Sequence, residues 1–223
     1  MGLCTAHTEL LRIVFFLALS SRVVVTHDVT EAFAESWECN VLMTVRWLKA
    51  MIPPRHSNET VRVGDTLSTT FRVLPSDLDM LMHMTNGRYL SVLDAARISY
   101  MSRTGLWRRY RERGWHPVVV SQTISYRRSL TLGVKYAVHT TLLGFDTRNG
   151  YFEHSFHVGS GVYATAVVAV RYLDKNGASV TPDRILKLDV DFALPHTLPE
   201  WVEDWASAAR AHTTATSEPK GPS

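Results

Sequence analysis

Between Leu67 and Leu173 the chain carries one long helix-period segment with β-patterned runs on either side. Leu90, Leu93, Asp94, Arg97, Ile98, Met101 and Leu106 keep the near-3.6 spacing of a packed helix. Before it, Leu67-Ser68-Thr69-Thr70-Phe71-Arg72-Val73 reads as a strand ending at Pro75. After it come four β-rich runs, Val118 to Arg127, Val134 to Phe145, Tyr151 to Val158 and Tyr163 to Leu173, divided by turns at Leu132-Gly133, Arg148-Asn149-Gly150 and Gly159-Ser160-Gly161. A lone apolar helix has to bury its stripe against a sheet, so the pattern predicts an α+β fold in which an antiparallel sheet wraps one long central helix. Asn86 stands where the helix needs a cap, Gly105 lies near its end, and Trp107 to Arg113 reads as a basic turn.

The domain limits follow from composition shifts. Pro53-Pro54-Arg55-His56-Ser57-Asn58-Glu59 is a turn-rich linker, and the small, polar stretch from Ala206 reads as a frayed end running into a disordered tail. The reading is a leader over 1–60, one domain over 61–205 and a tail over 206–223. In the leader, the apolar run Leu10 to Leu19 is broken by Arg12 and preceded by Glu9, and it falls short of the roughly 20 residues that cross a bilayer. Val41 to Ile52 has the pattern of a short amphipathic helix, lying on a membrane surface or on the domain, and Met43 is an alternative start. Asn58-Glu59-Thr60 fits a glycosylation sequon without a secretory signal to support it.

Charge and cysteine usage exclude several classes. The 24 basic and 21 acidic residues leave a formal charge of only +3, too even for a nucleic-acid binder. The run Arg103, Arg108, Arg109, Arg111, Arg113 reads instead as a solvated helix end. Cys4 and Cys39 both precede the domain, so no disulfide framework supports it and a reducing, cytoplasmic setting is expected. No cluster has metal-ligand spacing, and His154 and His157 fall on different faces of a strand. No metal or cofactor is expected.

The chemistry concentrates in Pro75-Ser76-Asp77-Leu78-Asp79-Met80-Leu81-Met82-His83-Met84-Thr85-Asn86-Gly87-Arg88-Tyr89-Leu90, followed by Asp94-Ala95-Ala96-Arg97. This segment resembles the signature of the 4-hydroxybenzoyl-CoA thioesterase family: two aspartates around one residue, a Gly-His-Val-type step, an asparagine, then Tyr-Leu and a helix. Within that family it is most similar to the branch of thioesterase superfamily member six and its bacterial relatives. The resemblance runs from about Thr66 to Leu188 and implies a hotdog fold that hydrolyses an acyl-CoA thioester as a homodimer or a dimer of dimers. It puts the catalytic carboxylate on Asp79 and the oxyanion donor on the backbone of Asn86 or Gly87, where unpaired N–H groups and the positive end of a helix dipole meet. Asp77 then supports the loop.

His83 acts as general base or, by preference, orients the loop through its ring nitrogens. Tyr89, on the helix and readable as plain packing, joins Arg127 and Arg128 in the substrate-binding set, the arginine forks suiting CoA phosphates. Asp94 and Arg97 read as an ion pair within the helix. The chain departs from the family at Met82, where glycine is common, and Met80, Leu81 and Met84 make the loop apolar. The long, apolar run Tyr163 to Leu173 favours a dimer if its edge is free. The alternative is a non-catalytic acyl- or lipid-binding protein at a membrane surface, motivated by Met80, Met82 and Met84.

Overall fold

The computed structural model describes residues 61–195 and 197–217, all within the unit Met43–Ser223. The runs Leu10 to Leu19 and Val41 to Ile52, the linker from Pro53 and the sequon at Asn58 lie outside the described residues, as does the chain from Glu218. Strand β1 (Leu67–Arg72) leads through a 3-10 turn (Pro75–Asp77) to the central helix α1 (Asn86–Arg103) and a short helix α2 (Leu106–Arg113). Four long strands follow, β2 (His116–Tyr126), β3 (Lys135–Phe145), β4 (Asn149–Val158) and β5 (Gly161–Leu173), and then helices α3 (Pro182–Leu186) and α4 (Glu200–Ser217). The strands make one antiparallel sheet of five in the order β1-β3-β4-β5-β2. The chain thus leaves the sheet at one edge, passes through α1 and re-enters at the other, which is the α+β hotdog arrangement expected.

Alternation decides which face holds the helix. Along β3, burial changes with every residue, so Tyr136, Val138, Thr140 and Leu142 point inward. They meet Val92, Leu93, Ala95, Ala96 and Tyr100 of α1, all closed to solvent. The small side chains of Ala95, Ala96, Ala164 and Ala166 keep the helix close to the sheet, while aromatic pairs such as Tyr100 with Phe152, ring centres 5.7 Å apart, fill the wider parts.

Four features differ from the sequence reading. Thr85, not Asn86, caps α1: its N–H is held by the Asp77 carbonyl at 2.9 Å, its backbone stays extended and its Oγ1 accepts the Arg88 N–H at 3.3 Å. Asn86 becomes the first helical residue. The basic segment after Gly105 is the helix α2 rather than a turn, with Arg109 paired to Asp189 and Glu112. Strand β5 has no free edge, because it lies between β4 and β2; among the described residues the edge strands are β1 and β2, and on β2 Val118, Val119 and Val120 are exposed. Finally, the C-terminal helix α4 continues past Ala206 to Ser217. Val202 and Ala206, one helical turn apart, pack with Leu198 on Tyr151, Val167 and Ala169 of the sheet's outer face.

One polar chain runs through the core. Asp94 pairs with Arg97, as the sequence reading has it, and the buried Arg97 guanidinium lies 3.5 Å from His154 Nε2. Since the guanidinium only donates, Nε2 accepts and Nδ1–H donates to Thr140 Oγ1 at 3.0 Å. Burial first, and the Arg97 cation second, hold the His154 imidazole well below its ordinary value of 6.5. In the unfolded chain the ring protonates near that ordinary value, so as pH falls the unfolded state takes the proton first and stability is lost below it. The unfolding midpoint, followed by calorimetry, should fall as pH drops from about 7 to about 5, and His154→Gln should flatten that slope.

Candidate active site

The loop between β1 and α1 is built on backbone pairing. Leu78 and Met84 form an antiparallel bridge, the Asp79 N–H donates to the His83 carbonyl at 2.9 Å, and the Met82 N–H donates to the Asp79 carbonyl at 3.0 Å. Asp79 stands at the mouth of this tight turn. Its Oδ1 accepts the N–H groups of Leu81 (2.8 Å) and His83 (3.1 Å), while Oδ2 has no hydrogen-bond partner among the described residues. The turn holds one oxygen still and leaves the other available. Asp79, Asn86, Gly87 and His83 are exposed.

Asp77 has the supporting role expected of it. Buried to 1% exposure, it accepts the Leu74 N–H at 2.8 Å and pairs with Arg88 Nε at 3.1 Å. Arg88, which the sequence reading passed over, also donates to the Ser76 carbonyl at 2.9 Å, fastening the 3-10 turn to the first turn of the helix. Its only signal in the sequence was its place two residues after Asn86. The His83 imidazole has no hydrogen-bond partner among the described residues; its main chain, bridged to Thr131, orients the loop rather than its ring nitrogens. Met82 has φ 61°, a left-handed conformation that glycine adopts freely and a side chain resists, which explains physically why glycine is common at this step. Met80, Leu81 and Met82 point outward, 100%, 75% and 55% exposed, so they neither desolvate Asp79 nor close a pocket over it.

At the start of α1, the N–H groups of Asn86 and Gly87 donate to nothing among the described residues, as the first turn of a helix requires unless something caps it. A Cβ built on Gly87 would have open space around it. The end of β2 is brought here by Tyr126, whose hydroxyl lies 3.5 Å from the Asn86 carbonyl and whose ring sits 5.0 Å from that of Tyr89. Tyr126 was missed as a site residue; its position immediately before Arg127 and Arg128 was the available signal. Both arginines follow it as exposed side chains, their backbone N–H groups donating to the Tyr163 carbonyl, with the Arg128 guanidinium over the Tyr163 ring at 5.9 Å. Tyr89 is placed otherwise. It is 2% exposed, its hydroxyl accepts the Leu130 N–H at 3.2 Å, and burial raises its pKa above the usual 10.0. Tyr89 therefore packs and positions the Leu130 segment, and does not open onto a ligand.

Among the described residues no group of three or more His, Cys, Asp or Glu side chains is placed to hold a metal ion, and no helix is long and apolar enough to cross a membrane.

An antiparallel sheet wrapped on one central helix, with an exposed carboxylate in the loop that leads into that helix, fits the class of thioesterase-like proteins. Residues 73–206 match the model of the thioesterase-like superfamily, and the chain belongs to that superfamily. Among its relatives, protein THEM6 of Xenopus laevis is 36% identical over 115 residues, covering 52% of this chain and 54% of that protein. Protein THEM6 of Drosophila melanogaster is 27% identical over 173 residues, covering 77% and 87%. The chain spans about half the length of the vertebrate relatives it matches. Among solved structures, YbaW, a probable thioesterase from Escherichia coli, aligns with a TM-score of 0.50 at 22% identity, over 54% of this chain and 96% of that one. The hypothetical protein SAV2348 from Staphylococcus aureus, solved in complex with CoA, aligns with a TM-score of 0.50 at 14% identity, over 65% and 96%. At these identities the likeness shows the fold.

Two substitutions separate strain from function. Met82→Gly should raise stability in urea by up to about 1 kcal/mol, because relief of the left-handed side chain exceeds the entropy that glycine adds to the unfolded chain. Gly87→Ala should keep or raise stability by about 0.5–1 kcal/mol, since alanine favours a helix and nothing stands in its way. The same Gly87→Ala change should lower activity if a substrate carbonyl has to approach that backbone closely.

Proposed function

We propose that the chain hydrolyses a fatty or aromatic acyl-CoA thioester at the open first turn of α1. The observation that carries this reading is the occurrence, within one short segment, of an Asp79 carboxylate oxygen and Asn86 and Gly87 helix N–H groups that have no hydrogen-bond partner among the described residues. Asp79 Oδ2 takes a proton from water as its oxygen adds to the thioester carbonyl, and the Asn86 or Gly87 N–H holds the oxyanion that forms. Collapse re-forms the carbonyl, breaks the C–S bond and expels the CoA thiolate, which recovers the proton. Direct attack by Asp79 through a mixed anhydride is the other form of the same chemistry. Arg127 and Arg128, beyond Tyr126, supply cations for the CoA phosphates; the CoA bound to SAV2348, on the same fold, supports this ligand class.

The test is release of CoA thiol from a panel of acyl-CoA substrates. Asp79→Asn keeps an acceptor for the Leu81 and His83 N–H groups and so preserves the turn; it should lower kcat about 100-fold or more with an unchanged circular dichroism spectrum. Equal turnover by the two proteins, or none by either across the panel, would remove the hydrolase reading. The exposed Met80, Leu81 and Met82 favour the second reading, a non-catalytic acyl- or lipid-binding protein. Saturable acyl-CoA binding without hydrolysis would select it. We place the chain in the cytoplasm, with peripheral membrane contact through the leader stretch Val41 to Ile52.

The partner we propose is a second copy. Among the described residues strand β2 is bonded on one side only, to β5, and it exposes Val118, Val119, Val120 and Tyr126, an edge that two chains would satisfy by pairing β2 on β2. Light scattering at micromolar concentration should give at least a dimer. Val119→Lys with Val120→Lys should shift it to monomer, and persistence of the dimer would place the contact elsewhere.

A further inference from the structure

On the outer face of the sheet, away from α1, lies a cavity of about 340 Å3 between α4 and the strands. It has the size of a small-ligand site and a cationic lining. Arg148, at the turn into β4, Arg171, on β5, and Arg210, on α4, all reach it. Arg210 donates to the Asp146 carboxylate at 2.8 Å. The other two meet no carboxylate among the described residues: Arg171 Nε donates only to the neutral Asn149 amide oxygen at 3.2 Å, and Arg148 has no side-chain partner. Three guanidinium groups lining one partly enclosed space, with one carboxylate paired to them, leave an excess of positive charge there that favours an anion.

The remaining wall selects among anions. Trp205, half-buried on α4 and edge-on to the Tyr151 ring at 6.4 Å, gives the cavity an aromatic side beside its cations. Forked cations suit phosphate oxygens, and an indole offers a stacking surface for a heterocycle. The cavity is also separate from the Asp79 site. It opens beside Val120 and Ser121 of β2, whereas the helix N-terminus meets Tyr126, six residues on. At roughly 3.3 Å per residue that is about 20 Å along the strand.

We infer that this cavity binds the adenosine phosphate part of a nucleotide, with phosphate oxygens on Arg148 and Arg171 and the base against Trp205. Free nucleotides and CoA both carry that group. The inference does not depend on turnover at Asp79.

Titration calorimetry on the full chain, with ADP, CoA and inorganic phosphate as separate probes, tests it. ADP should bind saturably, and Arg148→Gln with Arg171→Gln should weaken it about tenfold or more, as expected for loss of two charge-assisted contacts, with little change in the unfolding midpoint. Trp205→Leu should weaken ADP and leave phosphate binding unchanged. Asp79→Asn should leave ADP affinity as it was, which separates this site from the proposed hydrolytic one. A CoA binding event lost in the double arginine variant identifies CoA as one source of the ligand, and ADP binding without such an event assigns the cavity to free nucleotides. Absence of saturable ADP and CoA binding at millimolar concentration, or unchanged ADP affinity in the arginine or tryptophan variants, would overturn the inference.

Discussion

Burial of α1 against the sheet is the contact on which everything else rests. Val92, Leu93, Ala95, Ala96 and Tyr100 are removed from water only because the strands surround that face, and each larger apolar side chain among them contributes about 1.5–3 kcal/mol when fully buried. The sheet depends on the helix in turn: without it Tyr136, Val138, Phe152, Phe156 and Val168 would face solvent. The same packing fixes the direction of the helix axis, and therefore where its uncapped N–H groups end up. The first turn emerges at the end of the sheet where β2 finishes, with Tyr126 against Asn86 and Tyr89 against Leu130.

That placement leaves the site with two kinds of support. Below the loop, Asp77 and Arg88 form a nearly buried pair that ties the 3-10 turn to the helix, so the loop has no freedom to swing away without exposing an uncompensated charge. Above it, Asp79 is held through Oδ1 alone. The division of labour between two aspartates two positions apart follows from the direction of the chain, which turns one inward to Arg88 and the other out to solvent. Deeper in, Arg97 and His154 satisfy one another inside an otherwise apolar core, a network in which the neutral ring is essential, since two cations at that separation would repel in a medium that screens them poorly.

The outer face of the sheet has a different character. Helix α4 covers part of it through Leu198, Val202 and Ala206, and where the helix stands off, a basic and aromatic cavity remains. A face partly occupied in this way has less area for stacking one sheet on another, whereas the β2 edge stays open.

Much of the fold was legible in the sequence because its rules are local: a 3.6-residue period, alternation in the strands and glycine at the turns each act over a few residues. The loop from Asp77 to Gly87 was legible for the same reason, as its carboxylates and the helix start lie in one continuous stretch. Thr85 could not be distinguished from Asn86 as the cap, because that choice rests on a hydrogen bond from the Thr85 N–H to the Asp77 carbonyl that forms only when the loop closes. Strand order was beyond local rules. The apolar pattern of Tyr163 to Leu173 is the same for a strand paired on one side or on both, and only the path of the chain through α1 puts β2 outside β5. The sequence by itself determined the element types, the central helix and the residues of the Asp79 segment, since these depend on neighbours along the chain. The tertiary structure decided that Tyr89 is closed to ligands, that Arg88 fastens the loop, and that Arg148, Arg171 and Arg210 share one cavity, because those facts depend on contacts between segments far apart in sequence.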